Sequence, residues 1–316
     1  MRNPAGLFVF IEVRNMYQYP KNIQNTAQLL QKWSNAGMQI TANDNAEETL
    51  DQVGYYRLKG YAFHLYDKSS GKFETGVTFA KVANIYRFDS ALSNLVFSFI
   101  AQIEVSLRAR LVSALLLHGD ALVLNDPSLF SEKDKYWKNQ GTIASEIARS
   151  NDVFIKHNFR QYDGAVPLWA SVEVMSFGTL SKVIKNLKPT TAEYKALVQH
   201  YRFIGPSGKY IVPSQKMFTS WIQSVSVMRN ICAHNSRIYN RAISTAPQLT
   251  QLDFVNPQPQ YNGLYQILLA MKYLRLSDDA WNSFVAKLNG LFSQYPAVVD
   301  LTRLNFPSDW RDHFKL

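Results

Sequence analysis

An all-α fold is the class this 316-residue chain predicts, and three observations point to it. Apolar residues recur at helical spacing through most of the chain. Segment ends carry helix punctuation, with Asn, Ser or Thr before a periodic stretch and Gly or Pro after it. Strand-like alternation is sparse, confined to short pieces near Ala62–Tyr66. Taken in order, Asn25–Ala36 reads as a first helix with Gly37 just past its end, where left-handed backbone is common. Ala46–Val53 is a second short helix ending at Gly54, followed by the aromatic-basic segment Tyr55-Tyr56-Arg57-Leu58-Lys59-Gly60-Tyr61. Lys68–Gly76, rich in Ser, Gly and charge, reads as a loop. Thr78 is placed to cap Phe79–Leu117, which is helical in composition as two helices or one long one, and Gly119 closes it. Asp120–Gly141 and Asn151–Pro167 read as irregular, around a short helix at Ile143–Arg149. Leu168–Phe177 and Leu180–Leu187 flank Gly178, Pro189 ends that run, and Thr191–Gln199 is a further helix. Phe203–Pro213, with two Pro and two Gly, is a loop, and Ser214–Tyr239 is a long helix. Thr245–Gln260 reads as a connection, and Asn262–Leu276 and Asp278–Ser293 as two late helices, the second capped by Ser277 or Asp278. The chain thus divides into a small N-terminal helical module, 1–77, and a larger helical domain, 78–316.

Composition narrows the function classes. About half the residues (47%) are hydrophobic and 18% charged, which fits a folded protein and excludes wholesale disorder. One cysteine, Cys232, excludes an intramolecular disulfide framework and any multi-cysteine zinc or iron–sulfur site, and a reducing cytoplasm is the natural compartment. The apolar run Leu7–Ile11 is too short for a signal-peptide core, and Glu12 interrupts it. The most apolar region, Ala91–Leu117, is cut by Glu104, Arg108 and Arg110. It therefore falls short of the roughly 18–20 uncharged residues of a membrane helix and reads as buried core. No membrane partner is expected. The 34 basic against 24 acidic residues leave a net charge of +10, which points to a polyanion such as nucleic acid or an anionic membrane surface. Neither a phosphate-cradling glycine loop nor a dinucleotide or serine-hydrolase signature is present. None of the six histidines, His64, His118, His157, His200, His234 and His313, pairs with another at three- or four-residue spacing. No cofactor and no metal site is called for.

The constellation that stands out is Arg229-Asn230-Ile231-Cys232-Ala233-His234-Asn235-Ser236-Arg237. At about 100° per residue, Trp221, Val225, Met228, Cys232 and Tyr239 fall within about 40° of one line, an inward-facing apolar stripe. Asn230, His234, Arg237 and Arg241 fall on the opposite face, and Arg229 lies about 140° from His234. Cys232 thus reads as a buried small residue rather than a nucleophile. Arg229 and His234 meet at one phosphate only if the Arg arm wraps round, the helix distorts, or a second copy of the chain completes the site. The chemistry such a set suits is RNA cleavage by the ribose 2′-hydroxyl. Histidine exchanges protons near neutral pH. A guanidinium binds two phosphorane oxygens at once, and Asn230 donates an orienting hydrogen bond. The plainer alternative is an internal ion pair for Arg229 and a solvated polar face for the rest.

At these residues the chain resembles the HEPN superfamily, whose ribonuclease members carry Arg, a polar residue and then His a few positions on. Here Asn230 is the polar follower, and four residues separate Arg229 from His234. The wider chain resembles the Abi-like abortive-infection proteins, the AbiD/AbiF group, from roughly residue 25 to 290. The matching blocks are Gly54–Tyr61; Thr78-Phe79 with Tyr86-Arg87-Phe88-Asp89, Ile103-Glu104 and Arg108; Pro167-Leu168-Trp169 with Ser176-Phe177-Gly178; and Trp221 through Arg241. Leu92-Ser93 stands where Leu-Arg would be expected, and the first twenty or so residues lie outside the pattern. The resemblance implies a HEPN-type helical bundle, usually dimeric, with Arg–His motifs facing each other across the interface. It implies metal-independent RNA cleavage leaving a 2′,3′-cyclic phosphate and a 5′-hydroxyl, in phage defence or as a toxin. A dimeric site supplies two histidines and fits the separation of Arg229 from His234.

Catalytic candidates are therefore Arg229, Asn230 and His234, and the RNA-binding candidates are Arg237, Arg241, Arg57 and Lys59. Glu104 and Arg108, four apart in a very apolar helix, read first as a helix pair and second as support that holds Arg229. The aromatic-basic segment around Arg57 is suited equally to stacking on unpaired bases and to plugging the small module. Expected partners are RNA and a second copy of the chain. Whether an antitoxin, protein or RNA, restrains the activity stays open. Two other readings compete: a non-catalytic RNA-binding or sensing module, and a protein–protein component of a defence system.

Overall fold

In the computed structural model, which describes residues 22–253 and 262–316, helices make up nearly all of the regular structure. Two short hairpins are the only sheets among the described residues. The Leu7–Ile11 run lies outside the described residues, as does the Thr245–Gln260 connection from 254 onward. The chain divides into two compact units, the first ending at Val82 and the second spanning Ala83–Leu316.

In the first unit, α1 (Thr26–Asn35) begins with a reciprocal cap. The Asn25 side chain accepts from the Gln28 amide at 2.9 Å, and the Gln28 side chain accepts from the Asn25 amide at 3.0 Å. Helix α2 (Ala46–Val53) ends at Gly54, whose φ of +87° suits glycine. The aromatic-basic segment forms α3 (Tyr55–Ala62), because Leu58, Tyr61 and Ala62 recur at helical spacing and are all buried. The expected Lys68–Gly76 loop is instead the turn and return strand of a hairpin, β1 (Tyr66–Asp67) with β2 (Lys72–Phe73). The Asp67 carboxylate accepts from the Ser69 and Ser70 amides, which folds the turn locally. Trp33 is the centre of this unit, with ring centroids 4.9 Å from Tyr55, 6.4 Å from Phe73 and 6.1 Å from Phe79.

The Phe79–Leu117 stretch is a single uninterrupted helix, α4 (Phe79–Leu115), 37 residues long. The Thr78 hydroxyl accepts from the Lys81 amide at 3.0 Å at its start. Leu92, Val96, Ile100, Ile103, Leu107 and Leu111 form its buried stripe at steps of three and four. Helix α5 (Lys133–Arg149) begins ten residues ahead of the expected Ile143, and α6 (Val153–Gln161) lies where irregular chain was expected. The reason is polar burial. On α5 the inward positions are Tyr136, Asn139, Ile143 and Glu146, so an apolar count misses half of the buried face. The next break falls at Met175-Ser176, between α7 (Leu168–Val174) and α8 (Phe177–Asn186), rather than at Gly178. Ser176 caps the Thr179 amide at 3.2 Å, and the buried Glu146 carboxylate accepts from the Ser176 amide and the Thr179 hydroxyl at 3.1 and 3.0 Å.

Helix α9 (Ala192–Gln199) is capped by Thr191. The Phe203–Pro213 loop holds a second hairpin, β3 (Phe203–Ile204) with β4 (Tyr210–Ile211). Helix α10 (Gln215–Ala233) packs against α8 and against α11 (Leu264–Leu274), nearly all of whose residues are buried. Trp221 of α10 stacks on Tyr273 of α11 with centroids 4.7 Å apart and planes 12° from parallel. Helix α12 (Asp278–Gln294) is capped by Ser277 and leads to α13 (Trp310–His313), which the sequence reading did not anticipate. There Trp281 donates from its indole nitrogen to the Phe314 carbonyl at 2.8 Å and lies among Phe99, Phe284 and Phe314. No helix among the described residues is long and apolar enough to cross a membrane.

Replacing the fully buried Trp281 by Ala is expected to destabilise the chain by about 3–5 kcal/mol, read as a lowered urea midpoint. An unchanged midpoint contradicts this placement of the core.

Candidate functional site

Helix α10 stops at Ala233, six residues short of the expected Tyr239. His234 is the residue that caps it, and Asn235 takes a left-handed backbone with φ of +49°. Asn tolerates that conformation better than most residues. The Ser236 amide donates to the Ile231 carbonyl and the Asn235 amide to the Cys232 carbonyl, both at 2.9 Å, which closes the last turn and directs the chain away from the helix axis. The segment is then caught by Asp89 of α4. Its buried carboxylate accepts from the Ile238 amide at 3.0 Å and the Tyr239 amide at 2.7 Å.

The helical phase holds up to this break. Trp221, Val225, Met228 and Cys232 are buried, while Asn230 and His234 are exposed. Tyr239 is buried too, but beyond the helix, with its ring 6.2 Å from Phe88 and its hydroxyl donating to the Val298 carbonyl. Arg237 and Arg241 do not share a helix face with His234, because the helix has ended. They are half-buried on the following segment, where Arg241 donates to the Arg237 carbonyl at 3.2 Å.

Arg229 leaves α10 toward α4. Its Nε lies 3.7 Å from Glu104 Oε2, its guanidinium carbon is 5.8 Å from the Phe97 ring centroid, and its side chain is 37% exposed. The other Glu104 oxygen accepts from Arg108 Nη2 at 2.5 Å. Arg108 also donates to the Val172 carbonyl and, at 2.7 Å, to the Met175 carbonyl, which have no partner further along α7. Glu104 and Arg108 are thus a helix pair and also the support of Arg229. The two readings coexist because the carboxylate has two oxygens.

Burial pushes the Cys232 thiol up to about 11, a hydrogen bond to Ser93 opposing this and the Asp89 charge adding to it. It is a thiol at neutral pH and no nucleophile. Arg57 and Lys59 stand exposed on α3 in the first unit, with Lys59 Nζ 5.9 Å from the Tyr56 centroid. Among the described residues no group of three His, Cys, Asp or Glu is placed to hold a metal ion.

Sequence reasoning missed Asp89 as part of this site. The available signal was a carboxylate at a core-facing position of the most apolar helix, with Arg87 the only charged residue within four positions of it. A buried carboxylate requires donors, and here the backbone supplies them.

The fold and this site define an all-helical protein with a supported arginine and an exposed histidine at one helix end. The family described as Abi-like protein matches residues 48–240, more than half of the chain, and the chain belongs to it. Membership supports a role in abortive infection and phage defence. The matched span includes Asp89, Glu104, Arg108, Arg229, Asn230 and His234. Comparison with curated proteins and with solved structures gave no match.

Asp89→Ala leaves two buried amides without their acceptor and is expected to cost about 1–3 kcal/mol for each, measured by chemical denaturation. Cys232 is expected to resist iodoacetamide in the native chain at pH 8 and to react fully in urea. Rapid labelling of the native chain contradicts its burial.

Proposed function

We propose that this chain is a metal-independent endoribonuclease of the HEPN superfamily, in the AbiD/AbiF group, working as a homodimer. The observation that carries the reading is the open end of α10. There His234 and Asn230 are exposed, and Arg229, tied to Glu104 at 3.7 Å, keeps more than a third of its side chain in solvent. In this reading the ribose 2′-hydroxyl attacks the adjacent phosphorus and its proton passes to one imidazole. The bond from phosphorus to the 5′-oxygen breaks, and that oxygen takes a proton from a second imidazole. The products are a 2′,3′-cyclic phosphate and a 5′-hydroxyl. Arg229 meets the charge that builds on the non-bridging oxygens, and Asn230 donates a hydrogen bond that orients the phosphate or His234.

A second copy of the chain enters for two physical reasons. Arg229 and His234, with four residues between them, leave the end of α10 in different directions, Arg229 toward Glu104 of α4 and His234 into solvent at the cap. In-line attack also sets the 2′-oxygen and the leaving 5′-oxygen on opposite sides of phosphorus, so a base on one side and an acid on the other call for two imidazoles. Arg237 and Arg241 serve as phosphate contacts beside α10, and the net charge of +10 draws RNA toward the surface.

His234→Ala and Arg229→Ala are each expected to lower RNA cleavage at least about a hundredfold and to relieve growth arrest on expression, with unchanged circular dichroism. Cleavage by the parent is expected to persist in EDTA and to leave 2′,3′-cyclic phosphate ends. A purified His234→Ala chain that cuts RNA like the parent would sink the proposal. Salt-sensitive RNA binding without cleavage by the parent would leave a binding module in its place.

A further inference from the structure

The first unit encloses a cleft of about 480 Å³ between α1, α3 and the β1–β2 hairpin. That size lies within the range of small-molecule sites, about 300–1,000 Å³. Its wall is aromatic: Trp33, Tyr55, Phe63, Tyr66 and Phe73 all line it. Four of these rings are packed in pairs, with Trp33 and Tyr55 centroids 4.9 Å apart and Tyr66 and Phe73 centroids 5.2 Å apart. Phe63 differs. It is 50% exposed, and the ammonium of Lys68 lies 4.7 Å from its centroid. An exposed ring capped by a flexible cation presents a face that a flat ligand can take over.

The rim is cationic. Lys32, Lys59 and Lys68 line the cleft, no acidic residue does, and among the described residues none of the three forms an ion pair with a carboxylate. Three lysines on one cleft without a counter-charge leave a local positive surplus, which favours an anionic ligand there. Asn35 adds a polar edge. Its side-chain oxygen accepts from Gln31 at 2.8 Å, which leaves its amide hydrogens for a ligand in the cleft.

We infer that this cleft between α1, α3 and the β1–β2 hairpin is a binding site for a nucleoside phosphate, with the base against the Phe63 and Tyr55 side of the aromatic wall and the phosphate among Lys32, Lys59 and Lys68. An aromatic wall alone would take any flat apolar molecule, and lysines alone would take any anion. Their convergence in one cleft selects a ligand that is flat at one end and anionic at the other. A free nucleotide and an unpaired nucleotide of an RNA strand share that chemistry. The inference is independent of the ribonuclease reading, since no residue of α10 enters it.

The test uses calorimetric titration of the full chain carrying His234→Ala, so that RNA is not consumed whether or not the parent cleaves it. The probes are adenosine 5′-diphosphate, adenosine, inorganic phosphate and a ten-residue oligoadenylate. Adenosine 5′-diphosphate or the oligonucleotide is expected to bind at least tenfold more tightly than adenosine or phosphate. Phe63→Ala and Lys68→Glu, both at exposed positions, are each expected to weaken that binding at least tenfold with circular dichroism unchanged. Preference for the mononucleotide identifies a free nucleotide as the ligand, and preference for the oligonucleotide identifies a base of a strand. Binding that survives both substitutions, phosphate binding as tight as the nucleotide, or no binding of either nucleotide probe overturns the inference.

Discussion

A single buried carboxylate organises the second unit. Asp89 sits inside α4, 2% exposed, and accepts the Ile238 and Tyr239 amides. Removing an ionised carboxylate from water is costly unless hydrogen-bond donors replace the lost hydration, so the oxygens hold those amides where they are. The consequences run outward in both directions along the chain. Upstream, the left-handed Asn235 turn and the exposed His234 are caught between the end of α10 and this fixed point. Downstream, Tyr239 is seated against Phe88 and Val298, and the Asn240 amide reaches the Arg303 carbonyl at 2.9 Å. The same charge also raises the neighbouring Cys232 thiol, a smaller effect than burial itself.

Glu104 plays a comparable part for the cation of the site. It lies one oxygen against Arg108 and the other toward Arg229. Half-buried ion pairs of this kind add little net stability, because desolvation offsets much of the attraction. Their effect is positional. Arg108 ties Glu104 to the last carbonyls of α7, so Arg229 is referred through two charges to a backbone end on another helix. A guanidinium held this way loses less freedom when it meets an anion than one waving in solvent.

The positive surplus is spent differently in the two units. On α10 and the segment after it, arginines dominate, with planar groups that pair with two oxygens at once. In the cleft of the first unit, the cations are lysines set beside aromatic rings. That contrast in chemistry is why the two places are argued to recognise different features of their ligands.

Much of this was legible in the chain. Helical spacing marks α1, α2, α9 and α12 nearly to the residue, and in α1, α9 and α12 the side chains of Asn25, Thr191 and Ser277 cap the first turn, a local interaction. The apolar stripe of α10 and the outward turn of Asn230 and His234 follow from helical phase alone. Where the buried face carries Asn and Glu, as on α5, the pattern understated the helix. The shared helix face of Arg237 and Arg241 with His234 failed because phase arithmetic presumes that a helix continues, and this one ends at Ala233. Sequence by itself determined the class of fold, the identity of the polar residues near α10 and the inward turn of Cys232, all of which depend on neighbours within a few residues. Only tertiary structure decided where α10 stops, that Glu104 reaches Arg229, and that three lysines from three elements surround one aromatic cleft. Each of those rests on groups far apart along the chain, 125 residues in the case of Glu104 and Arg229, and no local periodicity carries information across that distance.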